Sequence, residues 1–191
     1  MQQVLAEKIL PRRSTLADLS LIVLGSLFVA AFAQLSIPLP FTPVPITGQT
    51  FAVLLVGMVL GPRRGAMALL AYLAEGAAGL PVFAEMGSGV ATLLGPRGGY
   101  LVGFVAAAWL VGLLAERGFD RSLIKTLAAM ALGNAVIYFF GVLWLSRFVS
   151  GLVGDQGALA LGMYPFLIGD AIKASLAAML LPSAWKLIGP R

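Results

Sequence analysis

An all-α membrane protein is predicted, with six transmembrane helices in one bundle, both termini cytoplasmic, and an outward-facing pocket closed by loops. Three observations carry this reading. Hydrophobic residues make up 60% of the 191 and charged residues 11%, against roughly 45 to 50% and about 25% in ordinary soluble domains. With a mean hydropathy of +0.97, too little polar surface remains to cover a water-soluble globule. Apolar runs recur six times along the chain. Lys and Arg fall overwhelmingly into alternate connections between those runs, the pattern that membrane insertion imposes.

The runs cover Leu16 to Leu35, Ile46 to Gly61, Gly65 to Ala78, Gly99 to Ala115, Leu123 to Leu145 and Leu161 to Leu187. About 20 apolar residues cross a bilayer as a helix. The second and third runs are shorter and are expected to be tilted, packed inside the bundle or partly re-entrant. Residues 1–191 form one transmembrane domain in this reading, with a cytoplasmic segment at 1–15 and outward loops at 79–98 and 148–160.

With the N-terminus cytoplasmic, the inward segments carry Lys8, Arg12, Arg13, Arg63, Arg64, Arg117, Arg121, Lys125, Lys186 and Arg191. The outward loops carry only Arg97 and Arg147, and Lys173 lies inside the last helix. An odd number of spans would move a terminal cluster outside, and the reversed orientation would place ten cations on the wrong side. Arg12, Arg13, the apolar stretch after them and Ala31-Phe32-Ala33 also have the outline of a cleavable signal peptide. That run has the length of a full span, however, and its loss would leave five helices beginning outside.

The chain contains no His and no Cys, which removes imidazole bases, thiolate nucleophiles, disulfides and thiolate or imidazole metal sites. The formal net charge of +5 and a pI near 10.0 are explained first by orientation, and no nucleic-acid motif or basic aromatic stripe accompanies them.

Irregular chemistry collects in the outward loops. Ser36 to Thr50 holds four prolines and no charge, a composition that forbids regular helix and favours extended backbone. It is either a turn lying over the bundle or one wall of an outward pocket, with Thr47 and Gln49 as its polar groups where the second helix begins. The loop from Gly79 to Gly98 holds Leu80-Pro81-Val82-Phe83, Glu85, Gly87-Ser88-Gly89 and Arg97. Its apolar anchors argue for a folded lid, and its glycines allow a flexible tip. Leu60-Gly61-Pro62-Arg63-Arg64-Gly65 recurs as Leu94-Gly95-Pro96-Arg97-Gly98-Gly99, each copy opening a helix as a capped turn. The copies face opposite sides, so Arg97 stands against the orientation rule, and an anionic ligand is the natural reason.

Asp170 and Lys173 stand three residues apart on one face of the last helix. Charges at membrane depth cost on the order of 2.5 to 3.5 kcal/mol each, so they should face the bundle interior or a cavity. Counted from Pro165, the pair lies roughly 8 to 12 Å below the outer surface, within reach of a bound solute. Glu75 ends the third run near the same side, where it pairs with Arg97, meets a ligand donor or snorkels to water. Trp109, Tyr138, Trp144 and Tyr164 read as interfacial aromatics, with Tyr100, beside Arg97, as the exception. Small residues at Ser26 and Ala30, Gly57 and Gly61, and Gly99 and Gly103 let helices approach closely, within the bundle or against another membrane subunit.

Taken together, these segments resemble the biotin-specific substrate-binding (S) component of energy-coupling factor (ECF) transporters, the BioY family. The resemblance rests on Pro43-Val44-Pro45-Ile46-Thr47-Gly48-Gln49-Thr50, Leu60-Gly61-Pro62-Arg63-Arg64-Gly65, Tyr72 through Glu75-Gly76, Gly79-Leu80-Pro81-Val82-Phe83, Leu94-Gly95-Pro96 with Gly98-Gly99-Tyr100, and Gly169-Asp170 with Lys173. It implies a six-helix bundle in the cell membrane that takes biotin from outside and works with a transmembrane coupling protein and two cytoplasmic ATPase subunits. No cofactor is implied, and the chain carries no nucleotide-binding G-x-x-x-x-G-K-[ST] stretch of its own. The resemblance further implies docking to the coupling protein through small residues on the first helix, here Ser26 and Ala30 in place of the family's Ala-x-x-x-Ala.

The chemistry of the residues fits that ligand. Asp170 suits the ureido N–H donors of biotin, and Lys173 the ureido carbonyl or the carboxylate. Arg97, Tyr100 or Gln49 suits the other end, with Thr47, Glu75 and Ser88 as further polar contacts and Phe83 with the Pro-rich loop as apolar walls. Two alternatives keep the membrane bundle: an S component for another small vitamin, and a stand-alone secondary transporter with Asp170 and Lys173 as an ion relay. An intramembrane enzyme would need a nucleophile and base, and Asp170 is the only buried acid with an evident partner.

Overall fold

Long apolar stretches satisfy their backbone hydrogen bonds internally by forming helix. The computed structural model, which describes residues 2–10, 14–149 and 157–188, is accordingly almost all helical. Its helices are α1 (Leu5–Ile9), α2 (Thr15–Ala33), α3 (Gln49–Leu60), α4 (Pro62–Ala77), α5 (Val90–Leu94), α6 (Gly98–Ala115), α7 (Leu123–Val149), α8 (Gly157–Gly162) and α9 (Leu167–Ile188). Ser14 caps α2, its hydroxyl accepting from the Ala17 N–H at 3.1 Å. Gly61 ends α3 and Pro62 opens α4, where its missing N–H costs no hydrogen bond.

Among the described residues, four stretches are long and apolar enough to cross a membrane: Thr15–Ala33, Gly98–Ala115, Leu123–Val149 and Gly157–Ile188. The short second and third runs become α3, of 12 residues, and α4, of 16. Ile46, expected to open the second helix, instead lies in a two-residue strand, β2 (Ile46–Thr47), paired antiparallel with β1 (Ser36–Ile37). The prolines between these strands hold the chain extended until Gln49 can begin a helix.

The sixth run departs from the single helix expected over Leu161 to Leu187. It stops at Gly162, passes through a 3-10 turn at Tyr164–Phe166 and restarts at Leu167. Pro165 explains the break, because it donates no hydrogen bond and disfavours helical backbone at the residue before it. The second Gly-Pro-Arg copy also differs from the first: α6 starts at Gly98, after Pro96 and Arg97 have formed a turn.

At the centre stands α6, packed against α7, α3 and α4, with Tyr100, Leu101, Phe104, Ala107, Ala108 and Val111 all buried. The flanking helices turn large apolar side chains outward: Leu24 is 62% exposed, Phe139 64% and Ile168 78%. A surface of that kind is stable against acyl chains, since water would penalise it.

The N-terminal segment and the last turns of α9 meet at one end of the bundle. Gln2 N–H donates to Glu116 O at 2.8 Å, Arg121 donates to Gln3 O at 3.1 Å, and Trp185 Nε1 donates to Asp120 Oδ2 at 2.6 Å. At that end Arg64 joins α1, α2 and α4 through Asp18 at 2.7 Å and Glu7 at 3.6 Å. Of the expected inward cations, Arg12, Arg13 and Arg191 lie outside the described residues, as do 150–156 of the loop expected at 148–160.

Candidate functional site

The opposite end holds a cavity, and five segments distant in sequence build it. Its lining includes Thr47 in β2 with Gln49 and Thr50 at the start of α3, Phe83 and Thr92 from the 79–98 segment, Arg97 and Tyr100 at the head of α6, Tyr138 on α7, and Phe166 in the 3-10 turn with Asp170 and Lys173 on α9. Seven expected site residues therefore converge: Asp170, Lys173, Arg97, Tyr100, Gln49, Thr47 and Phe83.

Charge is concentrated on one wall. Lys173 Nζ lies 2.9 Å from Asp170 Oδ1, the two brought onto one face of α9 by their spacing. Thr50 Oγ1 donates to the same Oδ1 at 2.9 Å and accepts from Lys173 Nζ at 2.9 Å. Tyr138 donates its hydroxyl proton to Asp170 Oδ2. The carboxylate is buried, with 5% of its side chain exposed, and a buried charge is tolerated only when it is paired and hydrogen-bonded.

The rest of the cavity is apolar with polar anchors. Tyr100 Oη donates to Gly162 O at 2.8 Å, fixing α6 to the end of α8. Gln49 Nε2 donates to Tyr72 Oη at 2.7 Å, and Tyr72 Oη donates to Val82 O at 3.1 Å. Thr47 Oγ1 receives the Gln49 N–H at 3.2 Å and donates to Gln49 Oε1 at 3.2 Å, so it is occupied in shaping the head of α3. Phe83 meets Tyr72 edge to face, with ring centroids 5.4 Å apart. Its ring fills the space where Gly76 lacks a side chain, and a Cβ there would overlap it.

Arg97 closes the cavity toward the loops. Its Nε donates to Pro43 O at 2.8 Å in the Pro-rich segment, and a terminal nitrogen lies 2.6 Å from Glu85 Oε2 in the loop before α5. One guanidinium thus spans two loops as a fork. Thr42 Oγ1 ties the Pro-rich segment to α8 through Leu161 O at 2.9 Å. The space left inside is about 60 Å³, against roughly 300 Å³ for the smaller sites that hold small molecules. A vitamin-sized solute therefore requires the walls to part, and the walls that are not helix are these two loops.

Two expected site residues stand elsewhere. Glu75 does not pair with Arg97: its Oε1 accepts from Ser26 Oγ at 2.8 Å at the α2–α4 contact, and Arg97 takes Glu85 instead. Ser88 is absent from the lining and uses its carbonyl to accept from Thr92 Oγ1 at 2.8 Å. Ser26 and Ala30, expected to dock a partner, turn inward at 0% and 9% exposure. Their face of α2 is occupied by α4, with Gly25 beside them against Ala68. Of the other small pairs, Gly99 and Gly103 pack on α7 inside the bundle.

Tyr138 and Thr50 were not among the expected binding residues. Tyr138 carries the pattern of an interfacial aromatic, and nothing local in the sequence links either residue to Asp170. Among the described residues, no group of three or more His, Cys, Asp or Glu is arranged to hold a metal ion.

Apolar helices whose flanks suit lipid, gathered round a cavity with one charged wall and loop residues in its lining, define a multi-pass membrane transport protein of the solute-capturing class. A model of the BioY family matches residues 5–190, and the chain belongs to that family. It is 39% identical over 163 residues to a probable biotin transporter BioY from Pyrococcus horikoshii, covering 85% of this chain and 93% of that one. The biotin transporter BioY of Thermotoga maritima is 41% identical over 144 residues, covering 75% and 82%. A crystal structure of the S-component for biotin from an ECF-type ABC transporter aligns with a TM-score of 0.78 at 29% identity, covering 90% of this chain and 94% of that one.

Proposed function

We propose that this protein captures biotin as the membrane-embedded substrate-binding subunit of an ECF-type transporter in the cell membrane. The observation that carries the reading is the buried Asp170 carboxylate, held by Thr50, Tyr138 and Lys173 against the cavity. A carboxylate offers about four acceptor positions; three protein donors leave room for one more, which suits a ureido N–H. Lys173 keeps one donor for the ureido carbonyl, because an ammonium has three and two go to Asp170 and Thr50. Arg97, which lines the same cavity, suits the valerate carboxylate, and Phe83 with Phe104 and Phe166 supplies the apolar walls.

In this reading all six principal helices cross the membrane, with both termini cytoplasmic. The cation count supports that orientation, since Lys8, Arg63, Arg117 and Lys125 gather at the end where the termini meet, opposite the cavity. Biotin enters from outside when the Pro-rich segment and the 79–98 loop part. A transmembrane coupling protein and two cytoplasmic ATPase subunits supply the energy, and lipid covers the exposed apolar flanks. Ser26 and Ala30 are buried at the α2–α4 contact, so docking of the coupling protein through them would require that contact to open.

Calorimetric titration of the purified protein with biotin and with competing vitamins tests the ligand. Saturable binding of biotin, undisturbed by excess of the others, is expected; preference for another vitamin would overturn it. Uptake that persists without the coupling subunits and follows the proton gradient would favour a stand-alone transporter.

A further inference from the structure

The loop that carries Phe83 and Glu85 is gripped by a residue on a helix that contributes nothing to the cavity. Gln34 follows the last turn of α2. Its Nε2 donates to Phe83 O at 3.1 Å, with a longer contact to Val82 O at 3.4 Å, and its Oε1 accepts the Met86 N–H at 3.1 Å. The segment between those contacts is strained. Glu85 and Met86 are consecutive non-glycine residues with φ of +60° and +57°, a region that L side chains seldom occupy. Such backbone persists only where its surroundings over-determine it. Within the turn, Phe83 N–H donates to Gly87 O at 3.0 Å and Gly87 N–H to Ala84 O at 3.1 Å. From outside it is held by the Glu85–Arg97 pair at 2.6 Å and by Gln34. The result presents the Phe83 ring to the cavity and the Glu85 carboxylate to Arg97, which are two parts of its closure.

We infer that Gln34 is a positioning residue for retention of the solute: it holds the 83–86 turn in its strained form, and its release is a step in opening the site. Hydrogen bonds weaken steeply beyond about 3.5 Å, so a displacement of roughly 1 Å between the end of α2 and the loop breaks the grip and frees the strain. This inference rests on the biotin-binding reading above.

Stopped-flow kinetics of biotin on the purified full chain tests it. Gln34→Leu, which keeps the bulk and removes donor and acceptor, is expected to release biotin roughly tenfold faster, about the effect of losing one or two hydrogen bonds. Association should stay within about twofold and the thermal midpoint without biotin should not move. Adding Met86→Gly to Gln34→Leu should bring release back to within about threefold of wild type, because glycine occupies positive φ without a Cβ clash. Wild-type release from Gln34→Leu would overturn the inference while leaving the biotin reading intact. Faster release that comes with a lowered midpoint and no rescue by Met86→Gly would also overturn it, assigning Gln34 to general stability. A wild-type protein that binds no biotin would fail at the titration itself and would overturn both.

Discussion

Thr50 and Asp170 stand 120 positions apart in the chain and are joined by a 2.9 Å hydrogen bond in which the hydroxyl donates to Oδ1. Because the same hydroxyl accepts from Lys173 at 2.9 Å, it links the two halves of the ion pair and α3 to α9. In surroundings of low dielectric, such a network is costly when broken and well defined when complete. It therefore presents a preset acceptor and a preset donor to the cavity, so a ligand that matches them need not reorganise the site on arrival.

Asp170→Asn and Lys173→Ala should each lower biotin affinity at least tenfold, or about 1.4 kcal/mol. The first replaces an acceptor by a donor, and the second leaves the carboxylate without its counter-charge. Titration of both purified variants checks this, with a retained thermal transition showing that they fold.

Tyr138→Phe removes the only donor to Asp170 Oδ2 among the described residues. Hydrogen bonds to charged groups contribute about 1.5 to 3 kcal/mol, so affinity should fall roughly thirtyfold while the ring keeps its packing. An unchanged dissociation constant would show that Tyr138 does not orient the carboxylate for the ligand.

Gly76→Ala should be destabilising by about 1 to 3 kcal/mol, the usual cost of overpacking, because the new methyl falls on the Phe83 ring. The thermal midpoint should drop, and biotin affinity with it, since Phe83 is driven from the cavity wall. Phe83→Leu in the same background should restore part of the midpoint by making room.

At the end where the termini meet, burial pushes the Asp120 carboxyl above the ordinary aspartate range, opposed by the hydrogen bond from Trp185 and the nearby Arg121 charge. A raised folded-state value means that the protonated form is favoured in the folded protein. The stabilisation is then complete below the unfolded-state value and is lost as pH rises through the folded one. Asp120→Asn keeps an acceptor for Trp185 and should flatten this part of the profile. Thermal midpoints measured from acid to neutral pH should show the variant gaining on the wild type as pH rises; parallel profiles would contradict it.

How far the sequence could be read follows from the range of each interaction. The helices were legible because apolar runs report burial in lipid directly, and Asp170 with Lys173 because a spacing of three is local to one helix. The break at Pro165 was a local signal too, outweighed by the apolar run around it. Tyr138 and Thr50 were not legible, since only packing of α7 and α3 against α9 brings them to Asp170. Glu75 and Glu85 look alike as partners for Arg97; the strained turn at Glu85 and Met86 decides between them, and no spacing rule foretells it. Ser26 and Ala30 have small side chains, but a small stripe does not say which neighbour it packs against.

Native mass spectrometry of the protein extracted from cells supplied with biotin tests the central claim most directly. Biotin should remain bound to the wild type and be lost from Asp170→Asn purified in parallel. A wild type without biotin, or a variant that retains it equally, would contradict the assignment of this cavity as the site of capture.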